Sequence, residues 1–112
     1  MSEQEAIVVI TNLPDRTSAE HIAETLVTEG IAACVNILAE CTSIYRWKGK
    51  LEHAGEVPLL IKTTRAAYPR LEDALRRLHP YEVPEVIALP VSAGLPEYLN
   101  WVVQETQARN QA

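Results

Sequence analysis

The most informative absences in this chain concern aromatic residues, glycine and positive charge. Its 112 residues include no Phe and only four Gly, and its ten Lys and Arg are outnumbered by fifteen Asp and Glu, for a net charge of −5. Nucleic acids bind through clustered Lys and Arg, and RNA-binding sheets stack bases on aromatic side chains. The composition therefore argues against a nucleic-acid partner.

Long apolar runs and cysteine are also scarce. No run of about 18 apolar residues exists, so the sequence predicts no membrane span. The first residues are acidic rather than basic, which is unlike a secretory signal, and we expect a cytoplasmic protein. Cys34 and Cys41 are the only cysteines. They do not make a disulfide framework, and the apolar surroundings of Cys34 favour a small core residue.

Motifs of common enzyme classes are missing as well. The chain has no G-x-S-x-G nucleophile elbow, no glycine-rich phosphate loop and no H-E-x-x-H metal motif. We therefore predict a protein that is not an enzyme. One enzymatic alternative remains open, in which His79 and Glu85 act as an acid–base pair in a small hydrolase or isomerase.

What the sequence does contain is a regular order of strand and helix patterns, and its length predicts a single domain over residues 1–112. A continuous β-branched run at 6–11 predicts a buried strand, and Thr17 with Glu20 resembles a capping box for the next helix. The remaining elements are a hairpin of strands 33–47 and 57–64 with its tip near Gly49, a helix over 68–78, a strand over 85–91 and a short helix from Pro96. This order predicts an α+β fold of the ferredoxin-like β-α-β-β-α-β type with an extra C-terminal helix.

The first and last strands predict self-association. Ile7-Val8-Val9-Ile10 and Val86-Ile87-Ala88-Leu89 do not alternate apolar and polar residues, although a sheet with one wet face should. Helices can cover only one face, so we expect other copies of the chain to cover the second. A strand over 33–47 would also be too long for the domain, so we expect it to bend near Ala39-Glu40 or to project onto a neighbour. Pro58 lacks an amide hydrogen and is expected at a sheet edge or a bulge.

Two segments concentrate residues that could bind a ligand or a partner. The segment from His79 to Glu85 combines an imidazole, a phenol, two carboxylates and two prolines, and it reads either as a rigid binding loop or as a structural connection. Tyr45, Arg46 and Trp47 combine aromatics with a cation, which favours an interface over ligand binding. Lys62 near the end of its strand is either a solvated side chain or part of a site.

Taken together, these motifs resemble those of the CutA divalent-cation-tolerance family. The matching stretches are Ala32-Ala33-Cys34-Val35-Asn36, Ser43-Ile44-Tyr45-Arg46-Trp47-Lys48-Gly49-Lys50, Ile61-Lys62-Thr63-Thr64, His79-Pro80-Tyr81 with Pro84-Glu85, and Tyr98-Leu99-x-Trp101. They follow the family order over nearly the whole chain.

The resemblance implies a homotrimer with a role in tolerance to copper and other divalent metals, and with no enzymatic reaction. A metal ion or small ligand would bind in clefts between subunits, lined by Lys62, His79, Tyr81, Glu82 and Glu85. At the family's proposed copper ligands this sequence has Thr11, Leu78 and His79. Only His79 is a good ligand, so copper or another divalent cation is expected to bind weakly.

A second hypothesis remains open. The chain could be a trimeric signalling or scaffold module, similar in build to PII-type regulators, with only incidental metal binding and with a small ligand or protein partner that the sequence does not identify. The absence of a saturable metal site would favour this hypothesis.

Overall fold

A computed structural model describes residues 5–107 of the chain. The elements are β1 (Ala6–Leu13), α1 (Arg16–Thr28), β2 (Cys34–Ile37), β3 (Cys41–Trp47), β4 (Lys50–Thr64), α2 (Tyr68–Leu78), β5 (Ile87–Pro90) and α3 (Pro96–Glu105). All strand pairs are antiparallel, and the order across the sheet is β2-β4-β1-β5, with β3 also paired to β4. The predicted α+β class is confirmed.

The long central strand β4 organises the sheet. One edge of β4 pairs with β1 along its second half, and the other edge pairs first with β3 and then with β2. The extended segment is interrupted between β2 and β3 at residues 38–40, where the sequence predicts a bend. Pro58 is not at a sheet edge. It lies opposite Asn12 where β4 passes from β3 to β2, so its missing amide hydrogen falls at the junction between two ladders.

The β3–β4 hairpin ends in a two-residue turn. Lys48 and Gly49 have φ values of 52° and 82°, and the flanking pair is Trp47 with Lys50. Positive φ at both central residues is the requirement of a type I′ turn, and glycine meets it without a steric penalty. This tight turn fixes which strand residues lie opposite each other in the hairpin.

The core lies between one face of the sheet and helices α1 and α2. Alternate residues of β1 and β4 point into it, with Val9, Leu59 and Ile61 fully buried against Leu26 of α1 and Leu75 of α2. Helix α3 packs against β1 and β4 through the buried Val102. None of the helices described within residues 5–107 is long and apolar enough to cross a membrane.

Helix α1 begins earlier than the sequence suggests. Its N-cap is Asp15, whose carboxylate Oδ1 accepts the Ser18 backbone N–H at 2.8 Å. The prediction of a Thr17–Glu20 capping box is therefore wrong. Asp15 follows Pro14 and belongs to the residue types that are preferred at the N-cap. The helix therefore begins directly after Asp15, which lies two residues before the predicted cap at Thr17.

Strand β5 is shorter than predicted, covering Ile87–Pro90 instead of 85–91. Its register places Ile87 opposite Ile10 and Leu89 opposite Val8, on the sheet face that α1 and α2 do not cover. Ile87 and Leu89 are 49% and 48% exposed. Within residues 5–107, an apolar sheet face therefore remains partly open.

Candidate functional site: the pocket beside the β3–β4 hairpin

The His79–Glu85 segment connects α2 to β5 and lies beside the end of β1. His79 caps α2, and its backbone N–H donates to the Leu75 carbonyl at 2.9 Å. The following turn brings Tyr81 to the middle of β4 and Glu85 to Asn12 at the end of β1. The segment is therefore fixed by side-chain contacts to two strands.

His79 is held on both sides of its ring. Nε2 lies 2.7 Å from the Asn12 carbonyl oxygen, and the Tyr81 backbone N–H lies 3.2 Å from Nδ1. Because a carbonyl can only accept, Nε2 carries the proton and Nδ1 is the acceptor. The side chain is buried, and burial lowers the pKa of His79 from its ordinary 6.5, opposed by the Asn12 hydrogen bond and the charge of Glu56. His79 is thus neutral at neutral pH.

The segment is also tied to β4 by a phenol–carboxylate contact. The Tyr81 hydroxyl donates to Oε2 of Glu56 at 2.9 Å, and Glu56 is only 7% exposed. Burial, and then the hydrogen bond to the Glu56 carboxylate, raise the pKa of Tyr81 well above its usual range. The rings of His79 and Tyr81 pack with centroids 4.8 Å apart. These contacts form one connected polar unit.

Sequence reasoning missed Glu56. It stands between Gly55 and Val57-Pro58 on β4, at a position that local patterning treats as an ordinary exposed strand residue. No local signal in the sequence marks Glu56 as buried, since both Glu56 and its neighbour Val57 are buried and the two-residue alternation fails there. A buried carboxylate needs a donor, and here that donor comes from 25 residues away.

A pocket of about 360 Å³ opens between the β3–β4 hairpin and the 79–86 loop. It is lined by Asn12, Tyr45, Trp47, Glu56, Tyr81, Glu82, Val83 and Glu85. This volume lies within the range of pockets that hold small molecules. We call it the hairpin pocket.

The hairpin pocket gathers most of the residues that the sequence singles out. Tyr81, Glu82 and Glu85, predicted for a ligand cleft, line it, and so do Tyr45 and Trp47, predicted for an interface. His79 does not line the pocket itself, but its ring packs against the ring of Tyr81, which does.

Two predicted site residues lie elsewhere. The ammonium of Lys62 donates to the side-chain oxygen of Asn36, and Lys62 sits in β4 opposite Val8 and Cys34. Arg46 is an exposed residue of β3 opposite Leu51. Neither lines the hairpin pocket. Their roles in a cleft or an interface stay predictions.

The rim of the pocket carries an ammonium group. Nζ of Lys48 lies 3.9 Å from Oε1 of Glu82 and 5.7 Å from the centre of the Trp47 ring. The type I′ turn places Lys48 at the hairpin tip, from which it reaches the loop. Both charged side chains are exposed, so the ion pair contributes little stability.

The positions corresponding to the family's proposed copper ligands do not form a metal site on their own. Thr11 is fully buried, and its Oγ1 has no hydrogen-bond partner, whereas Leu78 packs against the apolar core. Among residues 5–107, no group of three or more His, Cys, Asp or Glu is arranged to hold a metal ion. A metal at His79 would have to displace one of its two hydrogen bonds.

His79 and Glu85 are each hydrogen-bonded to the same residue of β1. Both hydrogen-bond to Asn12, His79 through the carbonyl and Glu85 through the side-chain amide at 2.9 Å. With both ring nitrogens engaged, His79 has no lone pair directed into the pocket. The geometry gives no support to the hydrolase or isomerase alternative.

Residues 7–105 match the profile of the CutA1 divalent ion tolerance protein family. The chain belongs to this family. The Thermus thermophilus divalent-cation tolerance protein CutA is 48% identical over 99 residues, covering 88% of this chain and 96% of that protein. The Mus musculus protein CutA is 50% identical over 95 residues, but the match covers only 54% of its length.

Solved structures of the CutA1 family share the fold. The Thermus thermophilus divalent cation tolerance protein superposes with a TM-score of 0.89 at 46% identity, covering 91% of this chain and 99% of that one. CutA from Xylella fastidiosa gives 0.89 at 45% identity, with 92% and 99% covered. The family resemblance predicted from the sequence is therefore confirmed.

Proposed function

We propose that this CutA1-family chain is a non-enzymatic protein of divalent-metal tolerance that works as a homotrimer. A metal ion, with copper as the first candidate, or a small ligand binds in the clefts between its subunits. The observation that carries this proposal is the hairpin pocket, which collects the predicted cleft residues Tyr81, Glu82 and Glu85. The names of the family and its relatives supply the link to metal tolerance.

The sheet supports the proposed assembly. An antiparallel order of β2-β4-β1-β5 with α1 and α2 on one face is consistent with a ferredoxin-like subunit. The other face leaves Ile87 and Leu89 half exposed in the single chain. Burying such an apolar surface against further copies is favourable, at about 25 cal/mol per Å² removed from water.

The hairpin supplies a second contact for the trimer. Tyr45 and Trp47 remain 43% and 40% exposed although they line the pocket, and Arg46 is exposed beside them. These residues can therefore meet a neighbouring subunit across the cleft. We expect Trp47→Ala to lower the native mass or the thermal stability of the assembly, and an unchanged trimer would count against this contact.

The test is copper binding measured by equilibrium dialysis together with native mass by light scattering. The variants are the wild type, His79→Ala, His79→Gln and Cys34→Ser/Cys41→Ser. His79→Gln is the informative one, because an amide can keep the hydrogen bonds to Asn12 and Tyr81 while removing the imidazole. The proposal predicts a saturable site that is lost in both His79 variants and retained in the cysteine variant.

Loss in His79→Ala alone would mean that His79 shapes the site without binding the metal. A site abolished only by removing the cysteines would reflect free thiols, since thiolates bind copper. A monomeric mass would refute the proposed assembly.

One observation favours the second candidate, a PII-like trimeric signalling or scaffold module with incidental metal binding. Both ring nitrogens of His79 already have partners within the chain. A pocket whose neighbouring imidazole, that of His79, is already hydrogen-bonded is better suited to a small organic ligand than to a metal. Absence of saturable copper binding in a trimeric protein would support this candidate.

We also propose a cytoplasmic location. The alternative is the periplasm, because the name of the relative from Archaeoglobus fulgidus calls that relative a periplasmic divalent cation tolerance protein. Fractionation of the native protein would test the proposal, and recovery outside the cytoplasm would contradict it.

A further inference from the structure

The hairpin pocket combines aromatic walls with negative charge. Tyr45, Trp47 and Tyr81 supply ring surface, and Glu56, Glu82 and Glu85 supply carboxylates. No Lys, Arg or His lines the pocket among residues 5–107. Aromatic faces attract cations through their quadrupole, and the attraction strengthens where water is excluded. Both features of the lining therefore favour a positively charged occupant.

The carboxylates are distributed around the pocket and do not converge on one point. Glu56 accepts from Tyr81, Glu85 accepts from Asn12, and Glu82 pairs with Lys48. No three acidic or imidazole groups in the described part of the chain stand close enough to chelate a metal ion. Small hard cations require several oxygen ligands at short range. A larger cation with delocalised charge fits this arrangement better. It can bind through the electrostatic field of the carboxylates and through contact with the aromatic rings.

An ammonium group of the chain itself, that of Lys48, already lies beside two residues of the pocket lining. Its ammonium lies within reach of both the Trp47 ring and the Glu82 carboxylate. The distance of 5.7 Å to the ring centre is within the range of cation–π contacts. The chain's own ammonium thus occupies the position that an external ammonium would compete for.

A buried carboxylate, that of Glu56, is part of the pocket lining. Glu56 is 7% exposed, and one of its oxygens, Oε2, accepts the Tyr81 proton. The charge of Glu56 contributes to the raised pKa of Tyr81, after burial and the hydrogen bond itself. The phenol therefore stays protonated and donates its hydrogen bond to the Glu56 carboxyl group.

We propose that the hairpin pocket binds a small organic cation of the alkylammonium class. Trp47 and Tyr45 provide its aromatic contacts, Glu82 and Glu85 the neutralising charge, and Lys48 acts as a competing internal cation. This inference names the ligand class of the cleft in the proposed function and rests on that function for its biological meaning. It concerns an organic ion and does not require copper binding.

The test is a titration with tetramethylammonium chloride followed by Trp47 fluorescence. A Trp101→Phe background removes the second tryptophan, which lies on α3 outside the pocket. Sodium chloride at equal ionic strength controls for screening. tert-Butanol, a neutral molecule of similar shape, separates charge from apolar contact. A saturable change with the ammonium ion and none with the alcohol is expected.

Three variants in this background sharpen the result. Glu82→Gln/Glu85→Gln removes two charges and should weaken binding by about fivefold. The matched control Glu97→Gln changes an acidic residue on α3, outside the pocket, and should leave binding unchanged. Lys48→Ala should strengthen binding by about threefold, because the competing ammonium is gone. A purely structural role for Lys48 would not produce tighter binding.

The outcomes separate this inference from the proposed function. No saturable change with tetramethylammonium in a protein of trimeric mass, or equal binding of tert-butanol, overturns the organic-cation inference and leaves the copper and assembly proposals standing. A monomeric mass with charge-dependent ammonium binding supports the inference while refuting the proposed assembly. Unchanged affinity in Lys48→Ala and in the glutamine variant would overturn the assigned contacts.

Discussion

Protonation or removal of His79 should destabilise the fold, and the size of the effect follows from its two hydrogen bonds. His79→Ala leaves the Asn12 carbonyl and the Tyr81 N–H without their partners. Leaving a buried polar group unsatisfied costs about 1–3 kcal/mol. The loop is open to water on the pocket side, so we take the lower part of the range for each group. The expected loss in free energy of unfolding is about 2–4 kcal/mol.

The same contacts predict a pH dependence. Burial lowers the pKa of folded His79 below the ordinary 6.5, so the unfolded chain takes up the proton first as the pH falls. The stability contributed by neutral His79 is therefore complete above the unfolded pKa of 6.5 and declines as the pH falls through the lower folded pKa. His79→Gln cannot titrate, and this part of the pH dependence should disappear in that variant.

The assay is guanidinium unfolding at about pH 7.5 and about pH 5.5, at fixed protomer concentration because assembly shifts apparent stability. His21→Gln/His53→Gln is the matched control, because it removes two exposed imidazoles and keeps His79 with its hydrogen bonds. A loss of less than about 0.5 kcal/mol in His79→Ala would refute the assigned hydrogen bonds. An unchanged pH dependence in His79→Gln would refute the assigned neutral state.

Three shorter predictions concern other parts of the chain. Thr11→Val should leave stability unchanged or raise it by about 1 kcal/mol in thermal unfolding, because the buried Thr11 hydroxyl has no partner to lose; a loss above that size would reveal one. Asp15→Ala should lower the free energy of unfolding by about 1 kcal/mol by removing the α1 cap, and Asp15→Asn should retain most of it. Leu89→Lys should reduce the native mass measured by light scattering if the open sheet face is an interface, whereas Val27→Lys on exposed α1 should not; equal masses would contradict that role.

Patterns that depend on neighbouring residues were predicted well from the sequence. The apolar strand around Val9, the helical spacing of Leu71 and Leu75 and the break before β3 all follow from local sequence. The composition of the His79–Glu85 segment pointed to the pocket residues Tyr81, Glu82 and Glu85, because all three lie within one short stretch of sequence. The predicted cap of α1 was wrong because Asp15 and Thr17 are both able to cap a helix. The extended backbone conformation of Asp15 in the folded chain makes it the N-cap.

By itself, the sequence determined the family, the α+β class and the order of elements, since periodicity and motif spacing act over a few residues. Only the tertiary structure decided what the candidate groups contact. Asn12 and His79 are 67 positions apart, and Glu56 and Tyr81 are 25 apart. Their contacts exist because the sheet brings β1, β4 and the loop after α2 to one place. Because these elements lie together, His79 is neutral and hydrogen-bonded on both ring nitrogens. The same arrangement forms the hairpin pocket.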